Sequence, residues 1–421
     1  MTASPSPMVT TSPDRAIVPP PRSVPAHEVA PGLLLHRVFV NTYALGTGVG
    51  LLLIDPGLAQ TTGSVHKAVR AWSDAPLHTV VYTHGHIDHA FGLQAFLDAG
   101  ERPQIVAQEN CVQHFQRYRL TYGLNTHINR RQTGNPAFVF PERFTWPTLT
   151  FRDSLVQHLA EIEVCYYAAK GETDDHCYVW LPTLSYLFTG DLILWVAPNC
   201  GNPQKVQRYP VEWVSALERM ASLGAEWLFP GHGYVIHGRE AVHTVLMDTA
   251  RYLQVIIDQV LTRMNDGQAP EEIFHAVEAD PDLARLPYLL ARYDHPKFIV
   301  RNLLRQWGGW WNGNAADLLP ATWETQAREI VSLAGGVAAV VARGQRLLEQ
   351  GDTTLAAHLA EWVTRAAPFD SSGQRLKRDV YARRLDETES TMAQGIFRAA
   401  MNDARVALGE EPSLPSSPVS L

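Results

Sequence analysis

The chain has 421 residues, 46% of them hydrophobic, and a formal net charge of −8. That length can supply cores for two or three domains. The acidic balance, with no long Lys/Arg run, excludes a nucleic-acid binder, and the lack of any stretch of about 18 consecutive apolar residues excludes a membrane-spanning helix.

Residues 1–24 are rich in Pro, Ser and Thr, include Pro19, Pro20 and Pro21 in a row, and lack the apolar core of a secretory signal. They read as a disordered tail. From residue 25 short apolar runs recur at 33–40, 50–54, 80–82, 105–107, 162–168, 177–181, 186–188 and 227–229, with helical stretches such as 61–72 and 211–223 between them. Strands interleaved with helices predict an α/β layered domain over 25–262. The four cysteines, Cys111, Cys165, Cys177 and Cys200, form no C-x-x-C pair and are too sparse for a disulfide framework. We read them as reduced packing residues of a cytoplasmic protein.

The densest chemistry lies at residues 80–92, V-V-Y-T-H-G-H-I-D-H-A-F-G. A β-branched and aromatic run ends there, and Phe91, Leu93, Phe96 and Leu97 follow at helical spacing, so the polar cluster sits on a strand-to-helix turn. On such a turn His84 and His86 alternate to one side, while Asp88 and His89 enter from another direction. Two adjacent ligand sets suit two metals, and imidazole with carboxylate favours zinc, with iron or manganese as substitutes.

Residues 111–152 form a long segment between apolar runs, read as a substrate-shaping insertion, and combine Phe115, Tyr118, Tyr122, Phe138, Phe140, Phe144 and Trp146 with Arg117, Arg119, Arg130, Arg131 and Arg143. Rings and guanidiniums beside a metal rim suit an amphiphile with an anionic head. Beyond His237 the pattern turns helical, beginning at 241–264 with Leu246, Leu253, Val260 and Leu261 on one face. A Pro- and Trp-rich connection over 270–317 carries H-P-K-F-I-V-R-N and W-G-G-W-W-N-G-N. Residues 336–350, 353–366 and 372–385 then read as paired helices broken at Gly351-Asp352 and Pro368, a tetratricopeptide-like pattern. From residue 409 the chain is again Ser/Pro-rich and reads as a frayed tail.

The H-x-H-x-D-H run at His84, His86, Asp88 and His89 resembles the signature of the metallo-β-lactamase superfamily. The resemblance implies an αββα sandwich and three further ligands from later strand ends: His176 in G-E-T-D-D-H, Asp191 in L-F-T-G-D and His232 in F-P-G-H-G. It assigns one metal to His84, His86 and His176, the other to Asp88, His89 and His232, with Asp191 bridging, and it makes Asp55 of L-L-L-I-D-P-G the group that orients a ligand. The C-terminal part resembles the dimerisation domain of alkylsulfatases of this type, through G-G-W-W-N-G-N at 308–314 and R-G-Q-R-L-L-E-Q-G-D-T-T-L-A-A-H-L-A at 343–360. An all-helical domain over 263–408, a homodimer, and a tail over 409–421 follow as expectations. Those sulfatases carry acidic ligands at the positions of His176 and Asp191.

The expected reaction is hydrolysis of an alkyl or aryl sulfate ester by hydroxide made available between two metals, with Asp88 and Asp191 in the catalytic set. Arg208 and Asn199, downstream of Asp191, are candidates to bind the sulfate head group, with Arg130, Arg131 and Tyr122 as further substrate contacts. His237, five residues beyond His232, is a candidate proton donor. Two other readings compete: a carboxylic ester, lactone or thioester hydrolase on the same site, and a helical docking module whose metal site is vestigial.

Overall fold

The computed structural model describes residue 6, residues 8–15 and residues 22–415. They fall into two compact units, one made of residues up to 122 together with 141–308, the other of 123–140 and 309 onward.

The first unit is built on two seven-stranded sheets. One runs β2 (Ser23–Ala30), β3 (Leu33–Val38), β4 (Val40–Thr47), β5 (Gly50–Ile54), β6 (Leu77–Val81), β7 (Gln104–Gln108) and β8 (Leu149–Phe151), in chain order across the sheet. The other has the order β1 (Val9–Thr10), β14 (Val235–His237), β13 (Trp227–Pro230), β12 (Tyr186–Gly190), β11 (Cys177–Leu181), β10 (Ile162–Ala168) and β9 (Ser154–Leu159). Strands β2 to β5 are joined by tight antiparallel connections. The parallel steps that follow require crossovers, and the helix Thr62–Trp72 makes the first, from β5 to β6.

The pleat explains the packing. Leu33 and Leu35, Tyr43 and Leu45, and Leu52 and Ile54 lie two apart, so each pair faces the same side and meets Val164, Tyr166, Val179, Phe188 and Phe229 of the opposite sheet. The other face of the second sheet, with Tyr178, Trp180, Leu187 and Leu228, is covered by the helices Pro210–Ser222 and Arg239–Asn265 through Trp213, Leu217, Leu246 and Leu253. Val65 and Val69 are the buried positions of the Thr62–Trp72 helix. The result is the αββα sandwich.

Three boundaries differ from the sequence reading. Residues 8–15 are not tail: Met8 is fully buried, and Val9 and Thr10 pair in parallel with Val235 and Ile236. Residues 1–5, 7 and 16–21 of the expected tail lie outside the described residues. The sandwich unit extends to 308 rather than 262, because the long Arg239–Asn265 helix exposes an apolar face that Ile273, Val277, Tyr288, Leu289, Ile299 and Leu303 cover. At the C-terminus, Glu410 pairs with Arg378 at 2.5 Å and the Ser413 amide donates to Asn402 at 2.8 Å, so the chain is anchored past 409; residues 416–421 lie outside the described residues.

The second unit is helical: Trp323–Leu333, Val337–Glu349, Thr353–Ala366, Ser371–Glu387 and Thr391–Ala407. Thr322, Asp352, Asp370 and Ser390 cap four of these helices with side-chain acceptors. Gly351 takes φ 82°, a left-handed conformation that favours glycine, and so ends one helix just before Asp352 starts the next. Val340, Leu347, Ala356, Ala360, Val363, Leu376 and Val380 form the core. The stretch 123–140, read as part of a substrate-shaping insertion, clusters with this unit.

Candidate metal centre

Several strands of the sandwich end at one rim, and each delivers a polar side chain there. Asp55 follows β5, the His84–His89 run follows β6, Asp191 follows β12 and His232 follows β13, while His176 precedes β11. Backbone bonds tie the two sheets together at this rim: Cys177 N–H donates to Thr83 O at 2.8 Å and Asn41 N–H to Gly231 O at 2.8 Å.

Two groups of donors result, each compact enough to hold one ion. His84, His86, Glu172 and Asp191 form the first, and Asp88, His89 and His232 the second, with the donor atoms of each within 4.8 Å of one another. Asp191 reaches both. Its Oδ1 lies 3.2 Å from His89 Nε2 and 3.6 Å from His232 Nε2, and its Oδ2 lies 3.9 Å from His84 Nε2. Asp88 Oδ2 is 3.3 Å from His232 Nε2 and 3.6 Å from His89 Nε2.

In the second group, the inward nitrogens of His89 and His232 are aimed by what holds the other side of each ring. Asp55 Oδ2 lies 2.7 Å from His89 Nδ1, and Asp55 Oδ1 accepts the Thr83 amide at 2.9 Å. The Phe39 carbonyl lies 3.1 Å from His232 Nδ1, and Phe39 itself takes a left-handed backbone at φ 79°. Fixing Nδ1 in this way leaves Nε2 turned inward, the arrangement of metal-binding imidazoles.

The donor set fits divalent cations. His89 Nε2, His232 Nε2, Asp191 Oδ1 and Glu172 Oε2 are buried and have no hydrogen-bond partner among the described residues. Buried polar atoms are rarely left so. Burial pushes His84 well below its ordinary range, and the neighbouring His89 and His86 push the same way. Burial also presses His89 down, but Asp191, Asp88 and Asp55 together lift it well above. A dication among these groups would satisfy the orphaned lone pairs and the crowded carboxylates at once.

The geometry departs from the sequence reading at His176. Its ring stacks on His84 with centroids 4.6 Å apart, and its Nε2 accepts the Asp191 amide at 3.2 Å. The carboxylate that joins His84 and His86 is instead Glu172, 3.7 Å from His86 Nδ1. Both residues belong to G-E-T-D-D-H, and the sequence signal for Glu172 was an acidic residue in the segment where the resembled sulfatases carry an acidic ligand. Arg208 Nη1 pairs with Glu172 Oε1 at 2.7 Å, and Asn199 Nδ2 donates to the same oxygen. Thus the two residues singled out for the sulfate head group both touch Glu172. Burial presses the Glu172 carboxyl upward, and the Arg208 guanidinium beside it pulls the other way.

Lys205, which sequence reasoning passed over, belongs to the same region. Burial lowers its amine to about 8, Arg208 adds to that effect, and Glu172 and Asp88 oppose it. Arg130 and Arg131 lie in the second unit, where Arg130 Nε donates to the Phe138 carbonyl at 2.8 Å. Tyr122 is exposed at the start of the helix Tyr122–Thr133. His237 stacks on Trp227 at 3.9 Å, at the end of β13 away from His232. All four cysteines are free and buried.

Residues 36–232 match the family model of the metallo-beta-lactamase superfamily, and residues 269–406 match that of alkyl sulfatase dimerisation. The chain joins a metallo-beta-lactamase domain to an alkyl sulfatase dimerisation domain. A linear primary-alkylsulfatase of Pseudomonas sp. is 29% identical to it over 361 residues, covering 79% of this chain and 67% of the relative. An (R)-specific secondary-alkylsulfatase of Pseudomonas sp. is 22% identical over 393 residues, covering 85% of this chain and 58% of the relative. The chain therefore spans between 58% and 67% of the length of these two relatives. A solved stereoselective inverting sec-alkylsulfatase from Pseudomonas sp. superposes with a TM-score of 0.81 at 21% identity, covering 90% of this chain and 65% of that one, which establishes the shared fold. In this metallo-beta-lactamase domain, the H-x-H-x-D-H run contributes to both donor groups, and Asp191, a member of the first, also lies beside His89 and His232 of the second.

Proposed function

We propose that this protein is a metal-dependent hydrolase of alkyl or aryl sulfate esters, working as a homodimer through its dimerisation domain. The observation that carries the reading is the pair of buried donor groups meeting at Asp191, on a chain whose helical part matches the alkyl sulfatase dimerisation model. His84, His86, Glu172 and Asp191 would hold one metal, and Asp88, His89, His232 and Asp191 the other. The nitrogen and oxygen donors suit zinc. Two divalent ions so placed supply Lewis acidity toward an ester oxygen and make hydroxide available at neutral pH.

The chain's own residues do the positioning. Asp55 and the Phe39 carbonyl fix the inward nitrogens of His89 and His232. Arg208 and Asn199 fix Glu172. Arg208 is committed to Glu172, which leaves Lys205, whose amine feels Glu172 and Asp88, as the cation to test for an anionic head group. The complete donor set speaks against a vestigial site, since one lost side chain would have dismantled it.

The test is release of inorganic sulfate from dodecyl sulfate and nitrophenyl sulfate by zinc-loaded protein. Cleavage of carboxylic esters, lactones or thioesters with no sulfate released would replace this reading with the competing hydrolase.

A further inference from the structure

The Asn110–Leu120 helix buries Cys111, His114, Phe115 and Tyr118, one stripe at helical spacing, so a histidine is turned inward with the rings. His114 is 1% exposed, and its Nδ1 lies 2.9 Å from Asp175 Oδ1. The other oxygen of that carboxylate, Asp175 Oδ2, accepts the amide of Gly85 at 2.7 Å. Gly85 is the residue between His84 and His86. A Cβ there would lie 2.8 Å from Asp175 Oδ2 and 3.0 Å from the His114 ring, so the contact depends on glycine. The His114 ring also meets His86 edge-on, centroids 5.7 Å apart at 83°. None of these contacts is used by the reaction described above.

We propose that the His114–Asp175 pair is a positioning device: one carboxylate clamps the His84–Gly85–His86 turn by its central amide and locks the imidazole that packs against His86. The inference rests on the two-metal reading and extends it to what orients the first donor group. Asp175 and His114 act through the turn and need not touch substrate. Groups that steer metal ligands in this way are worth about 10- to 100-fold in metal affinity. The clamp should therefore be felt by the His84–His86–Glu172 group and not by the Asp88–His89–His232 group, whose rings have their own acceptors.

The experiment is a cobalt(II) titration of the metal-stripped full chain, read by visible absorption, with circular dichroism and thermal melting to follow the fold. The wild type should take up two equivalents. Asp175→Ala should weaken one of them about 10- to 100-fold and leave the other unchanged. His114→Phe should do the same, whereas His114→Asn, whose amide N–H stands in for Nδ1–H, should restore the affinity. If Asp175→Ala does not fold, the two His114 variants carry the test. Unchanged affinities, equal effects of Phe and Asn at 114, or equal weakening of both metals would overturn the proposal. So would a third equivalent in the wild type that disappears in these variants, since His114, Asp174 and Asp175 would then be binding an ion themselves. Failure of the loaded wild type to release sulfate would remove the sulfatase reading alone and leave these affinities standing.

Discussion

Arg208 and Glu172 form a buried ion pair at 2.7 Å, and the same Arg208 Nη1 donates to the Glu172 carbonyl at 2.6 Å. Removing the cation would strand a buried carboxylate. Arg208→Ala is therefore expected to cost about 3–5 kcal/mol, measurable as a lowered denaturant midpoint of the metal-free protein. Arg208→Lys should recover only part of it, because an ammonium lacks the planar geometry for both contacts. A midpoint equal to wild type in Arg208→Ala would show that the pair does not support the fold.

Glu172 and His176 make opposite forecasts about metal content. Glu172→Gln should leave about one metal per chain after dialysis, since it removes a carboxylate from the first donor group. His176→Gln should retain both, because the His176 ring packs on His84 and its Nε2 is occupied by the Asp191 amide. Elemental analysis of the two purified variants decides, and the reverse pattern would return His176 to the ligand set.

Asp55 holds His89 Nδ1 at 2.7 Å from a carboxylate that is itself tied to Thr83. Asp55→Ala should weaken metal binding by about 10- to 100-fold at the second group while the far-ultraviolet circular dichroism stays that of the wild type. Competition against a chromophoric chelator gives the affinity.

Gly231 leaves room for Asp191. A Cβ at this position would lie 2.2 Å from Asp191 Oδ1 and 2.9 Å from His89 Cε1, too close for any side chain. Gly231→Ala should displace the carboxylate shared by both donor groups and abolish sulfate release, with the helical unit still folded by limited proteolysis. Wild-type turnover would mean that Asp191 is not needed where it stands.

Metal should also stabilise the fold, since the donor groups are organised only in the native state. Zinc at about 100 times its dissociation constant is expected to add about 2.7 kcal/mol, seen as a raised thermal midpoint that a chelator reverses. A midpoint indifferent to zinc would count against both donor groups.

The local parts of this protein were legible from the chain alone. The strands are short continuous apolar runs, the C-terminal helices follow a helical period broken where Gly351 and Asp352 stop one helix and start another, and H-x-H-x-D-H places four donors within six positions. These features depend on neighbours in sequence, so backbone periodicity determines them. Asp191 and His232 came instead from the resemblance to the metallo-β-lactamase signature, which implies further ligands on later strand ends. What the tertiary structure decided involves partners far apart. Glu172 falls within the donor group of His84 and His86 while the His176 ring stacks on His84, and the irregular 171–176 segment has no period to say which side chain turns inward. Val9 finds its place only by pairing with Val235. The sandwich unit reaches past 262 because the Arg239–Asn265 helix has an apolar face that must be covered, a demand written in the sequence whose answer is set by packing.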